Sequence, residues 1–263
     1  MHCLLLPRYF KRMSLFKFYL KTSVFLIVTV TLAPLYFFML LICFPWRHLL
    51  GPKLVQFYSK ICLLIFRVRI EEVKDSRILE RQAKGFLLIS NHASFLDIFV
   101  LSGLFGSVFV SKAEVKGYPI IGQIAWLMGV IFVDRDSSRE RLRVLQTIAK
   151  KYSTRIIAVF PQGTTSRISD RLPFNRGIFK VIELNPDITL LPLTLHYEDD
   201  KEIAWHNPQT LKEHALKVFG QKRIRLKVTI HDPVTIDDYR GKTAEQICKK
   251  VERTVLGPLQ KGY

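Results

Sequence analysis

The order of apolar and polar positions divides the chain near Phe66. Ahead of that point, Val24–Phe44 runs without a charged residue. Roughly 20 apolar residues suffice for a helix that enters a hydrocarbon layer. Pro34 lies inside the run, so a kink or break is expected there. Leu49–Phe66 makes a second, more amphipathic arm. From Arg67 onward, short apolar runs alternate with helical patterns. Strands are expected at Val68–Glu72, Phe86–Ser90, Val108–Ser111, Val130–Val133, Ile156–Phe160, Leu190–Leu195 and Ile224–Ile230. Helices are expected near Ser94–Phe105, Ile120–Met128, Ser138–Tyr152, Gly177–Leu184, Gln209–Phe219 and Thr243–Leu256. Leu142, Leu145, Ile148 and Ala149 form one face of the Ser138–Tyr152 helix, with Arg139, Arg143 and Lys150 outside it. Ile224, Leu226, Val228 and Ile230 alternate with Arg223, Arg225, Lys227 and Thr229, a strand with one wet, basic face. Strand–helix alternation of this kind gives an α/β fold, a mixed, mostly parallel sheet flanked by helices. Residues 1–66 then form a membrane-inserted helix pair and residues 67–263 a single domain.

Charge narrows the partners. The 263 residues carry a formal net charge of +18, which points to nucleic acid, an anionic membrane surface or a phosphate-bearing substrate. Nucleic acid is set aside because no reading motif is present and a long uncharged helix is an odd companion. Both flanks of the apolar run are basic: Arg8, Lys11, Arg12, Lys17 and Lys21 before it, Arg47, Lys53 and Lys60 after it. A single span normally biases one side. Equal flanks suit a hairpin that dips into one leaflet and returns, each basic residue adding about 1 kcal/mol of attraction to anionic lipid. Cys3, Cys43, Cys62 and Cys248 show neither paired nor metal-ligand spacing, so reduced thiols in a membrane-bound, cytosol-facing protein are expected.

Three stretches carry chemistry. Asn91-His92-Ala93-Ser94-Phe95-Leu96-Asp97 joins an apolar strand to an apolar helix. A bend there brings the imidazole of His92 back toward the first helical turn. A carboxylate holding one ring nitrogen fixes the tautomer and favours the imidazolium, which makes the other nitrogen a base for a hydroxyl group. Ser94-x-x-Asp97 also fits a capping box, in which Asp97 serves only the backbone. Gly129-Val130-Ile131-Phe132-Val133-Asp134-Arg135 ends a strand with a charged pair, and an arginine there can project into a cleft that accepts phosphate. Phe160-Pro161-Gln162-Gly163-Thr164-Thr165-Ser166 follows another strand, and such a turn can offer N–H donors to an anion. No Gly-x-Ser-x-Gly elbow occurs, which disfavours a serine hydrolase.

In this order the three stretches resemble the motif set of the glycerolipid acyltransferases, typified by 1-acylglycerol-3-phosphate acyltransferases. Leu191-Pro192-Leu193 matches a fourth family element, and the resemblance runs from about Phe66 to Val234. It implies transfer of a fatty acyl group from acyl-CoA or acyl carrier protein to the hydroxyl of a lyso-lipid, most simply 1-acylglycerol-3-phosphate. His92 would be the base and Asp97 its orienting carboxylate, with no metal, cofactor or acyl-enzyme. Lys112, Arg135, Gln162, Gly163, Thr164, Thr165, Ser166 and Arg176 match substrate-binding positions. Two departures stand out: Gln162 replaces the usual Glu, and Thr165 an arginine common in the family. Arg167, Arg171 and Arg176 are candidates to replace that arginine. The Thr-Thr-Ser form is similar to acyltransferases for other lyso-lipids, including lyso-ornithine lipid. The competing reading is a basic, membrane-bound lipid-binding protein without catalysis, for which Gln162 would be the sign; retention of both His92 and Asp97 argues against it.

Overall fold

The computed structural model of the chain describes residues 8–42, 47–74, 86–118, 121–127, 129–170 and 172–260. Cys3, Cys43 and Arg171 lie outside the described residues, as do the side chains of Arg8, Lys11, Arg12 and Arg47. Two long helices come first, α1 (Arg8–Ile42) and α2 (Arg47–Phe66). The order then runs β1 (Val68–Lys74), β2 (Leu87–Ser90), α3 (Leu96–Phe105), β3 (Val108–Lys112), α4 (Ile121–Leu127), β4 (Ile131–Val133), α5 (Ser138–Lys151), β5 (Ile157–Val159) and α6 (Val181–Leu184). It closes with β6 (Leu190–Tyr197), α7 (Asp200–Ile203), α8 (Leu211–Gly220), β7 (Ile224–Ile230), α9 (Ile236–Tyr239) and α10 (Ala244–Gln260). The expected strands and helices all form, with ends displaced by a few residues. The Gly177–Leu184 helix begins as a tighter 3-10 turn, Arg176–Lys180, before continuing as α6.

The strands make one seven-stranded sheet in the order β1-β7-β6-β2-β5-β3-β4. Every neighbouring pair is parallel except β6 with β7. Apolar side chains of β2 cover both faces, as a strand sandwiched between helix layers requires. Leu87 and Ile89 pack with Val144 and Ile148 of α5 and Ile247 and Val251 of α10. Leu88 packs on the other face with Leu96, Val100 and Leu101 of α3. Because β2, β3, β4 and β5 are parallel, their carboxyl ends lie at one edge. Ligands of open α/β sheets bind outside that edge.

Leu15–Tyr36 within α1 is long and apolar enough to cross a membrane by length and composition. Pro34 sits inside α1 without ending it. The helix presents Phe16, Ile27, Val30, Leu35 and Phe38 outward. Its partner α2 is different, for it lies on α3 and buries Cys62, Leu63 and Phe66 in the core of the sheet domain. Lys21 also departs from expectation. It turns inward rather than toward headgroups, and its Nζ donates to the Gln221 carbonyl at 2.8 Å. That carbonyl lies just past the end of α8, where a cation offsets the partial negative charge of the helix terminus.

Candidate active site

The chain leaves β2 at Ser90 and bends before α3. Asn91 fixes this bend: its Nδ2 donates to the Leu195 carbonyl at 2.9 Å and its Oδ1 accepts from the Leu195 N–H at 2.8 Å. Both backbone groups belong to β6, the neighbouring strand. Asp97, in the first turn of α3, is fully buried. Its Oδ2 accepts from His92 Nδ1 at 2.8 Å, from Ala93 N–H at 2.7 Å and from Ser94 N–H at 2.9 Å. Oδ1 accepts from the Tyr197 hydroxyl at 2.6 Å. One carboxylate therefore serves the backbone ahead of the helix and also holds the imidazole, while α3, with Phe95 at its N-cap, starts without a side-chain cap.

A carboxylate surrounded by donors accepts, so His92 Nδ1 carries a proton, and in the neutral ring the lone pair is on Nε2. The ring lies flat against Phe160, with centroids 3.9 Å apart and planes 9° from parallel, which fixes its orientation. Nε2 has no hydrogen-bond partner among the described residues. His92 lines a small open cleft with Asn91, Gln162, Ser166, Arg167 and Leu256. An imidazole so held can accept a proton from a hydroxyl group that enters the cavity.

The third motif wraps the backbone of His92. Gln162 Oε1 accepts the His92 N–H at 2.8 Å, and the Ser166 N–H donates to the His92 carbonyl at 3.0 Å. Gln162 Nε2 donates to Ser166 Oγ and to the Leu172 carbonyl, both at 3.3 Å. An amide suits this place because it both donates and accepts. The carboxylate of a Gln162→Glu variant keeps the first bond and turns an acceptor toward the Leu172 carbonyl. This variant is expected to lose about 1–3 kcal/mol of stability, seen as a lower melting temperature, with the acceptor KM nearly unchanged. A large rise in KM at unaltered stability would instead place Gln162 on the substrate.

Arg135 reaches the same turn, where its Nη1 donates to the Gly163 carbonyl. Gly163 adopts φ +78°, and a Cβ there would stand 3.0 Å from Arg135 Nη1. The conformation demands glycine at this position, since the arginine end could swing aside but the positive φ would remain. Thr164 is exposed and Thr165 half-buried, while Ser166 is buried. Lys112 is exposed at the carboxyl end of β3, on the same edge of the sheet. Arg176 is brought elsewhere: it is exposed and pairs with Glu245 of α10 at 3.1 Å. Arg167, by contrast, lines the His92 cavity, its guanidinium against His206 Nε2 and its buried Nε without a partner. Among the described residues no carboxylate forms an ion pair with it.

Two residues that hold the pair carry no local signal in the sequence. Tyr197 follows Asp97 by a hundred positions. His214 of α8 meets Ser94 Oγ at 3.1 Å, stacks on Trp205 and touches Phe95 edge-on. Burial lowers the pKa of His214 from 6.5 to about 4, so its imidazole is neutral where it meets Ser94 and packs between Trp205 and Phe95.

Comparison with known proteins places the fold and the family. Residues 67–196 match the family model for acyltransferases. A lyso-ornithine lipid O-acyltransferase of Rhodobacter capsulatus is 26% identical over 223 residues, covering 81% of this chain and 78% of that protein. A 1-acyl-sn-glycerol-3-phosphate acyltransferase of Neisseria gonorrhoeae is 30% identical over 120 residues, 44% of this chain and 46% of that relative. The crystal structure of the 1-acyl-sn-glycerophosphate acyltransferase of Thermotoga maritima matches with a TM-score of 0.72 at 17% identity, over 95% of this chain and 94% of that one. The fold is thus shared over nearly the whole length, including the two N-terminal helices.

Proposed function

The protein is an acyltransferase, with a domain of that family at residues 67–196, and from this premise we propose that it acylates the hydroxyl of a lyso-lipid whose head bears a carboxylate, as lyso-ornithine lipid does. The observation that carries the reading is the Nε2 of His92, unpartnered among the described residues, in a cleft whose one cationic lining residue among them is Arg167. The lipid hydroxyl gives its proton to Nε2 as its oxygen attacks the thioester carbonyl of an acyl-CoA or acyl carrier protein. The tetrahedral intermediate collapses, the carbon–sulfur bond breaks, and the leaving thiolate takes the proton from the imidazolium. Asp97 stabilises the imidazolium between these steps.

One guanidinium balances the charge of one carboxylate, which Arg167 would meet on turning its Nη2 from His206. It neutralises a phosphate monoester less completely. A second reading, with 1-acylglycerol-3-phosphate as acceptor, is favoured by Arg135 on the same edge, although its Nη1 is already engaged by the Gly163 carbonyl. The outward apolar face of α1 supports attachment to a membrane, with α1 in one leaflet and the carboxyl edge of the sheet close to the lipid.

Purified protein with labelled acyl-CoA and a panel of lyso-ornithine lipid, 1-acylglycerol-3-phosphate and lysophosphatidylcholine tests the reading. The expected product is acylated ornithine lipid. Product from the phosphate acceptor alone would select the second reading, and no product from any would reject both. Arg167→Ala is expected to raise the KM for the preferred acceptor about 10–100-fold, the loss of a charge-assisted hydrogen bond. Arg167→Lys should restore little, because an ammonium lacks the planar fork.

A further inference from the structure

We infer that Tyr197 is a positioning residue of the His92–Asp97 pair: its hydroxyl draws charge onto the far oxygen of the carboxylate and so weakens the hold of Asp97 on a protonated His92. The inference rests on the reading of His92 as the base. Three donors converge on Oδ2 of Asp97 and one on Oδ1, from Tyr197 at 2.6 Å. The phenol thus fixes the plane of the carboxylate from the side opposite the imidazole. Without it, Oδ1 would be buried with no donor, a costly arrangement.

The geometry follows from register. β2 ends at Ser90, opposite Leu193 of β6. The longer strand runs on to Tyr197, roughly 13 Å farther at about 3.3 Å per residue. Leu193, Leu195 and Tyr197 share the face toward α3, so the ring comes down beside the first turn of that helix. Tyr197 is 1% exposed. Burial and the neighbouring carboxylate hold the phenol neutral well above its ordinary range, so it remains a donor.

The electrostatic consequence has a definite sign. A donor to Oδ1 shares the negative charge, which weakens the pull of Asp97 on a protonated imidazole. Removing it returns charge to Oδ2 and raises the pKa of His92. The other groups facing the pair are His214 of α8, with Lys217 and His206 beyond it, and Arg167 at the cavity wall. All of them are unchanged in a Tyr197 variant, so a difference from wild type isolates the hydroxyl.

The test is the pH dependence of kcat/KM for full-length protein on the acceptor that the panel selects. Wild type should show an acid limb that His92→Ala abolishes. Tyr197→Phe should move that limb up by about one unit, lowering kcat/KM about tenfold on the acid side of both limbs with recovery at higher pH and little change in acceptor KM. Replacement of Tyr197 by 3-fluorotyrosine, a stronger donor of the same shape, should move the limb down, and it serves where the Phe variant fails to fold. A limb that stays in place in either folded variant overturns the inference and leaves His92 as the base. Full activity of His92→Ala overturns the base assignment itself.

Discussion

His92→Ala should lose about 10²–10⁴-fold in turnover, the usual contribution of a positioned base, while remaining folded. The side chain makes one hydrogen bond, to Asp97, and one ring stack, on Phe160. The backbone bonds that hold the bend, His92 N–H to Gln162 and the His92 carbonyl to Ser166 N–H, survive the change. Asp97→Asn should lose activity for another reason. An amide can still accept from Ala93 and Ser94, yet it carries no charge with which to stabilise an imidazolium. Asp97→Ala removes the acceptor for the Ala93 and Ser94 N–H groups and for the Tyr197 hydroxyl, and should be the least stable of the three. Labelled-acyl transfer assays beside thermal melts separate these cases. Wild-type rates in a folded His92→Ala protein would end the base assignment.

Removal of residues 1–66 should cost the fold as well as membrane attachment. The amino-acid pattern alone reads this segment as a separable anchor, and deletion would then release a soluble domain. Packing says otherwise for α2. Val55, Cys62, Leu63 and Phe66 are buried, and Phe66 meets Phe95, Phe99 and Phe219 with centroids 4.9–5.9 Å apart. Gln56 Nε2 also donates to the Leu104 carbonyl at 3.0 Å, near the end of α3. Burying such side chains is worth about 1.5–3 kcal/mol each, and the whole net stability of a domain is only about 5–15 kcal/mol. The truncated chain is expected to aggregate, or to keep secondary structure without cooperative melting, in circular dichroism and size exclusion. A monomeric, cooperatively melting 67–263 fragment would show that α2 is dispensable.

The outcomes for individual residues follow how far apart their partners lie in the chain. His92 and Asp97 are five residues apart, so a single bend suffices to join them and the pair is legible from spacing. The turn at Gly163 is equally local. Gln162 reads as a ligand to substrate, but its three hydrogen bonds are internal, and one of them is to a residue seventy positions earlier. Arg176 and Arg167 look interchangeable in the chain. In space one pairs with Glu245 and the other faces the cavity. Lys21 looks like a flank for lipid headgroups and instead bonds to Gln221, two hundred residues away.

The amino-acid order by itself determined where the chain forms strands and helices, because periods of 2 and 3.6 are local properties. The contact of His92 with Asp97 and the apolar stretch of α1 were legible because they too are local. Only the tertiary structure decided the strand order, the place of α2 in the core, and the choice of Arg167, Gln162, Tyr197 and His214 as neighbours of the site. Those contacts join segments distant in sequence, and they exist because parallel strands bring their carboxyl ends to one edge.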